Sequence, residues 1–144
     1  VDIETTGLHP KPWDKNCKIF CIAINTGKNL RLYEPKDFKQ IFPVLSDPSI
    51  IKVIHNANFD SLWLKRLYNI DVRSIWDTRL MEQVIIGDNL PRSEKDEELK
   101  KQLSSSLKYT LARYGLADLD KTIGATFAER DVNKPLTKEE KEYA

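Results

Sequence analysis

The chain has 144 residues, 40% hydrophobic and 31% charged, with 23 Lys+Arg against 22 Asp+Glu and a formal net charge of +1. That is the size and balance of one ordinary globular domain, and it excludes a broad basic stripe, so any nucleic-acid contact must be local. No apolar run approaches the roughly 18 residues of a membrane span and no signal-peptide pattern is legible. Two cysteines, Cys17 and Cys21, are too few for a disulfide framework; reduced thiols, a cytoplasmic location and no membrane partner are expected.

Val1-Asp2-Ile3-Glu4 alternates acid and β-branched residues and reads as a strand over 1–4. Successive strand side chains point to opposite faces, so Asp2 and Glu4 share one side, and Val1 and Ile3 the other. A loop over 5–16 is punctuated by Gly7, Pro10 and Pro12. The apolar run 19–24 reads as a central strand, and 25–29 turns into a hairpin partner over 30–33. Within 35–45, Phe38, Ile41, Phe42 and Leu45 fall at helical spacing, with Pro43 expected to end the regular part. A strand over 50–55 has Ile51, Val53 and Ile54 as its apolar members.

Asn56-Ala57-Asn58 breaks that strand and can cap a helix over 59–68, whose stripe is Phe59, Leu62, Trp63 and Leu67. A further strand spans 72–76 and closes at Asp77-Thr78. The helix over 80–86 is expected to turn Leu80, Met81 and Val84 inward. Residues 87–104 form a charge-dense excursion with a solvated helix over 94–101. Ser106 can cap a helix with Leu107, Thr110, Leu111 and Tyr114 in phase, stopped by Gly115. Residues 118–133 read as short helical turns. Thr137 and Glu140 have capping-box spacing. Trp13, Trp63 and Trp76 are most simply packing residues. The order of elements specifies an α/β fold: a mixed sheet with helices on both faces. A first strand without apolar lead-in and a last helix cut at Ala144 suggest a domain clipped at both ends.

The chemistry concentrates in two places. Asp2 and Glu4 on one strand face repel each other unless a cation lies between them, and hard divalent ions take such oxygen ligands. An edge strand with a solvated face would carry the same pattern, and for a bare Asp-x-Glu that plainer reading prevails. The second place is His55-Asn56-Ala57-Asn58-Phe59-Asp60, which follows a strand and sets Asp60 in the first helical turn. An acid there is also favoured by the helix dipole alone. Together the three acids can converge on the crevice at the carboxyl end of the sheet, the usual binding location in open α/β sheets.

These residues carry a resemblance. Asp2-Ile3-Glu4-Thr5-Thr6-Gly7-Leu8 resembles the first motif of the DEDD superfamily of 3′–5′ exonucleases. Residues 55–60 resemble the second, Asn-x-x-x-Asp. Trp76-Asp77-Thr78 resembles a strand–helix junction of the same group. Residues 106–121 resemble the helical region of ribonuclease D and of the proofreading domain of DNA polymerase I. The segment from Pro135-Leu136-Thr137 to Glu142-Tyr143-Ala144 resembles the approach to the third motif, Tyr-x-x-x-Asp, which marks the tyrosine branch. Its final Asp would lie four positions past Tyr143, beyond Ala144, and without it the fragment is expected to be weakly active or inactive.

The resemblance implies a ribonuclease H-like three-layer fold, with residues 1–144 as one exonuclease domain. It implies two ions, Mg²⁺ or Mn²⁺, held by Asp2, Glu4 and Asp60, with Tyr143 completing the catalytic set by orienting the attacking water. The product would be a nucleoside 5′-monophosphate released from the 3′ end of a single strand, DNA being favoured over RNA. A polymerase domain in the parent chain fits the same reading. Thr5, Leu8, Asn56 and Phe59 are candidate contacts to the terminal nucleotide, although Asn56 can serve as a helix cap and Phe59 as core. His55 reads as a satisfied strand-end histidine and Asp77 as a supporting cap. Lys108, Arg113 and Lys121 are candidate phosphate contacts. The alternatives are a ribonuclease D-like exoribonuclease and a nucleic-acid-binding module of the same fold without activity.

Overall fold

The computed structural model describes residues 1–87, 103–116, 131 and 134–143. The helix expected over 94–101 and most of the turns expected over 118–133 lie outside them. Five strands and five α-helices are described: β1 (Asp2–Thr5), β2 (Ile19–Asn25), β3 (Leu30–Tyr33), α1 (Phe38–Ser46), β4 (Lys52–Ile54), α2 (Ala57–Tyr68), β5 (Ile75–Asp77), α3 (Thr78–Ile86), α4 (Leu107–Arg113) and α5 (Lys138–Tyr143). The class is mixed α/β, as expected. The strands pair as an antiparallel β1-β2-β3 sheet and a parallel β4-β5 pair. The nitrogen of Val1 donates to Val53 O at 2.9 Å and brings β1 beside β4.

The alternation in β1 sorts its side chains as the sequence predicts. Ile3 pairs with Ile22 and enters the core, while Asp2 and Glu4 stand opposite Ala23 and Cys21. The register shifts after Glu4, where Thr5 pairs with Ile19 and Phe20 becomes the extra residue. Such a bulge ends the pairing and bends the strand just beyond the two acids. The core joins Ile3, Ile19 and Ile22 to Phe38, Ile41 and Leu45 of α1 and to Trp63 and Leu64 of α2. Each fully buried side chain of this kind contributes about 1.5–3 kcal/mol. Cys17 and Cys21 are both free thiols, and Cys21 is buried.

Several local expectations are corrected. Pro43 lies inside α1 instead of ending it. Its ring is exposed, and so is Lys39, whose carbonyl loses a helical donor and can be hydrated; burial of Leu45 holds the last turn. In β4 the inward residues are Lys52 and Ile54, while Val53 faces out, as does Ile51 just before the strand. Lys52 is accommodated because its ammonium donates to Asp47 O, at the C-terminus of α1. In α2 the buried positions are Ala57, Asp60, Trp63 and Leu64, and Leu62 is exposed.

In α3 the buried residues are Glu82 and Ile86, whereas Leu80, Met81 and Val84 are exposed. The guanidinium of Arg113 donates to Glu82 Oε1 through Nε at 3.1 Å and Nη2 at 2.8 Å, so α3 turns its acid toward α4. Trp63 is fully buried, but Trp13 is 82% exposed and Trp76 half-exposed. Ser106 stands at the N-cap of α4 without a side-chain capping bond. The capping box of α5 forms as read: Glu140 N donates to Thr137 Oγ1 at 3.2 Å, and Thr137 N to Glu140 Oε2 at 2.7 Å. No helix among the described residues is long and apolar enough to cross a membrane.

Candidate active site

A cleft of about 740 Å³ opens beside β1 and is lined by Val1, Asp2, Glu4, His55, Asn56, Arg79, Ser106, Leu107, Glu142 and Tyr143. Three sequence-distant segments that the motifs single out, the end of β1, the turn before α2 and the end of α5, therefore meet at one surface. Its size suits a nucleotide-scale ligand.

The turn into α2 is built by an acid from another element. Asn56 occupies the N-cap position with φ 68° and ψ 48°, a left-handed conformation that asparagine tolerates better than most residues. Its side chain makes no capping bond to α2, contrary to the capping role open to it from sequence. Asp77 supplies that function: Oδ1 accepts Asn56 N at 3.0 Å and Oδ2 accepts Ala57 N at 2.9 Å. The same carboxylate caps α3, with Oδ1 accepting Arg79 N at 2.9 Å. Asp77 is thus the supporting cap anticipated, and it fixes two helix starts at once. Relieved of capping, Asn56 Oδ1 accepts Arg79 Nη1 at 2.7 Å. His55 Nδ1 lies 3.0 Å from Thr78 Oγ1, the strand-end partner expected of it.

Asp60 lies in the first turn of α2, only 2% exposed. Its Oδ1 is buried and has no hydrogen-bond partner among the described residues. An ionised carboxylate left this way is costly, and the group answers by holding its proton. Burial first, then the charge of Asp2, push its carboxyl up to about 8. Burial and then Asp2 push Glu4 up to about 7. Asp2 still reaches solvent, but the cleft walls desolvate it and raise its carboxyl above the usual range. Asp2 is the acid whose charge acts on both of the others.

Among the described residues no three acidic, histidine or cysteine side chains enclose a common metal position in this conformation. The donor set nevertheless fits a hard divalent cation. It is all oxygen, its members destabilise one another as anions, and one buried carboxylate oxygen has no other partner.

The remaining sequence candidates are distributed differently. Thr5 is buried and its hydroxyl donates to Gly7 O at 2.8 Å. Leu8 is 76% exposed, outside the cleft lining. Phe59 packs beside Trp63, ring centroids 6.2 Å apart, and is partly buried against the core. Arg113 is committed to Glu82 and does not line the cleft; Lys121 lies outside the described residues. Sequence reading missed Arg79, Ser106, Leu107 and Glu142 as cleft residues. Arg79 had one available signal, its place directly after the Asp77-Thr78 junction.

Over residues 1–144 the sequence matches the 3′–5′ exonuclease family. No curated protein is similar enough in sequence to match. Among solved structures, a nuclease in its apo form is similar at 18% identity and a TM-score of 0.70, the match covering 99% of this chain and 62% of the other. Escherichia coli RNase D, an exoribonuclease involved in structured RNA processing, is similar at 21% identity and a TM-score of 0.68, covering 99% of this chain and 33% of the other. At such identities the likeness establishes the fold. The chain spans less than two thirds of the length of either protein.

Proposed function

The chain belongs to the 3′–5′ exonuclease family, and on that premise we propose that it hydrolyses the terminal phosphodiester at the 3′ end of a single strand, DNA in preference to RNA. Water oxygen bonds to phosphorus, the bond from phosphorus to the O3′ of the preceding nucleotide breaks, and a nucleoside 5′-monophosphate leaves. The observation carrying this reading is the buried Oδ1 of Asp60, unpartnered among the described residues, in a carboxyl that feels the charge of Asp2, which in turn lines one cleft with Glu4 and Tyr143.

In this reading Asp2, Glu4 and Asp60 hold two divalent ions, Mg²⁺ or Mn²⁺. When bound, such ions neutralise charge at the reacting phosphate and make the attacking water more acidic. The protein's own share is positioning, which is most of what phosphoryl transfer asks. The Tyr143 hydroxyl orients the water. Asn56, held by Asp77, faces the terminal nucleotide. Thr5, whose hydroxyl is spent on Gly7 O, contributes through its backbone, and Leu8 and Phe59 offer apolar surface to base and sugar. We place the activity in the cytoplasm, where Cys17 and Cys21 stay reduced, either as a proofreading-like domain joined to a polymerase or as a separate nuclease.

The likeness to E. coli RNase D favours an RNA 3′ end as the second reading. Telling RNA from DNA requires a contact to the 2′-hydroxyl. Digestion of matched DNA and RNA single strands by the full-length protein, with chromatography of the products, tests both. Faster release of deoxynucleoside 5′-monophosphates supports the first reading, and faster release of ribonucleoside 5′-monophosphates the second. Binding of either strand without release of mononucleotides supports a non-catalytic module.

A further inference from the structure

Arg79 is the one lysine or arginine among the described residues lining the cleft. It pairs with no carboxylate among the described residues, although Asp2, Glu4 and Glu142 line the same cleft. One of its donors, Nη1, is held by Asn56 Oδ1 at 2.7 Å. Its Nε is buried without a hydrogen-bond partner among the described residues. The backbone under both residues is fixed by one carboxylate, since Asp77 accepts Asn56 N and Arg79 N. A guanidinium on such a mount has lost much of its rotamer freedom before any ligand arrives. Its planar fork matches a phosphate, and among the described residues only Nη1 of that fork has a hydrogen-bond partner, which leaves Nη2 to donate to a phosphate oxygen.

We propose that Arg79 grips one backbone phosphate of the bound strand, on the 5′ side of the bond being cut. The inference rests on the exonuclease reading and adds to it a substrate contact outside the acidic set. A cleft of carboxylates repels a polyanion, and Arg79 offsets that repulsion at a single linkage. The bond to Asn56 sets where along the strand that linkage falls, so the contact fixes register as well as adding affinity.

The test is a thermodynamic cycle on the full-length protein. Binding of 5′-labelled single-stranded DNA is measured in EDTA, so that nothing is cut. Each oligonucleotide carries one uncharged methylphosphonate at the second, third or fourth linkage from the 3′ end. R79Q keeps a donor for Asn56 but removes the charge; R79M removes both and serves as the second variant should either fold poorly. Wild type is expected to lose about tenfold in affinity when one particular linkage is neutralised, the scale of a hydrogen bond to a charged group. Both variants are expected to be indifferent at that linkage, with a salt slope about 0.7–1 unit shallower.

A variant that stays as sensitive as wild type at every linkage overturns the proposal. So does a variant that binds as tightly as wild type, or a wild-type protein that does not bind the strand. Cleavage is scored separately: wild type that shows the Arg79 cycle but never shortens a strand in Mg²⁺ loses the exonuclease reading and keeps this contact.

Discussion

Asp77 accepts the backbone N–H of Asn56 at 3.0 Å, so the turn carrying the second acidic motif hangs from the residue that starts α3. One carboxylate satisfies donors of two helix N-termini, and the left-handed conformation of Asn56 is held from outside its own element. A cap is worth about 1 kcal/mol and each buried amide left unsatisfied costs about 1–3 kcal/mol. Asp77→Ala is therefore expected to lower unfolding stability by about 3 kcal/mol, read from urea denaturation. A loss below about 1 kcal/mol would mean that water replaces the carboxylate and that the turn does not depend on it.

The raised carboxyls of Glu4 and Asp60 fix the sign of a pH effect. Folded, they hold protons up to about 7 and 8, whereas the unfolded chain releases them near ordinary carboxylate values, about 4. The native state binds more protons across that window, so this contribution is lost as pH rises through 7 and 8. In EDTA the melting temperature is expected to fall between pH 5.5 and pH 9. Mg²⁺ or Mn²⁺ is expected to restore more stability at pH 8 than at pH 5.5, because a cation binds the deprotonated acids. A flat or rising profile in EDTA contradicts the burial of these acids.

Asp60→Asn keeps the shape of the side chain and removes the charge that has no partner. The metal-free protein is expected to melt higher at pH 8 and to lose most of its response to Mn²⁺. Cleavage is expected to fall by roughly three orders of magnitude, the rate equivalent of several kcal/mol of charge stabilisation. Asp2→Ala is expected to abolish cleavage while leaving the fold intact, since Asp2 reaches solvent and contributes repulsion more than packing. Calorimetry with Mn²⁺ beside the melting curves separates lost ion binding from lost structure.

The Glu82–Arg113 pair offers a check on the frame away from the cleft. Arg113→Ala leaves the Glu82 carboxylate buried and without the guanidinium, which is expected to cost about 3–5 kcal/mol. A double Glu82→Leu, Arg113→Leu variant is expected to be more stable than the single one, as apolar packing replaces the pair. A double variant less stable than the single one would show that the ion pair is net stabilising here.

Much of this was legible where the determining contacts are local. The period-2 pattern of β1 needed only adjacent residues, and so did the Thr137–Glu140 capping box. The inner face of α3 was misread because Leu80, Met81 and Val84 form an apolar stripe while the burial of Glu82 depends on Arg113, 31 residues away. The faces of β4 were misread for a related reason, since a buried Lys52 makes sense only once Asp47 O is known to receive it. Asparagine is often a helix cap, but here Asp77 accepts the N–H groups at the start of α2 and the side-chain oxygen of Asn56 accepts from Arg79. Arg79 follows the Asp77-Thr78 junction directly, but that position alone does not say that the start of α3 and the end of β4 share a cleft with β1.

Metal-dependent removal of nucleotides from a 3′ end can be watched one nucleotide at a time. The most direct measurement follows a 5′-labelled single-stranded oligonucleotide incubated with the full-length protein, resolved by length over time with Mg²⁺, with EDTA, and with Asp2→Ala. The expected result is a ladder that shortens stepwise in Mg²⁺ and stays at full length in the other two. Labelled fragments from internal cuts, equal shortening in EDTA, or equal shortening by the variant would contradict it.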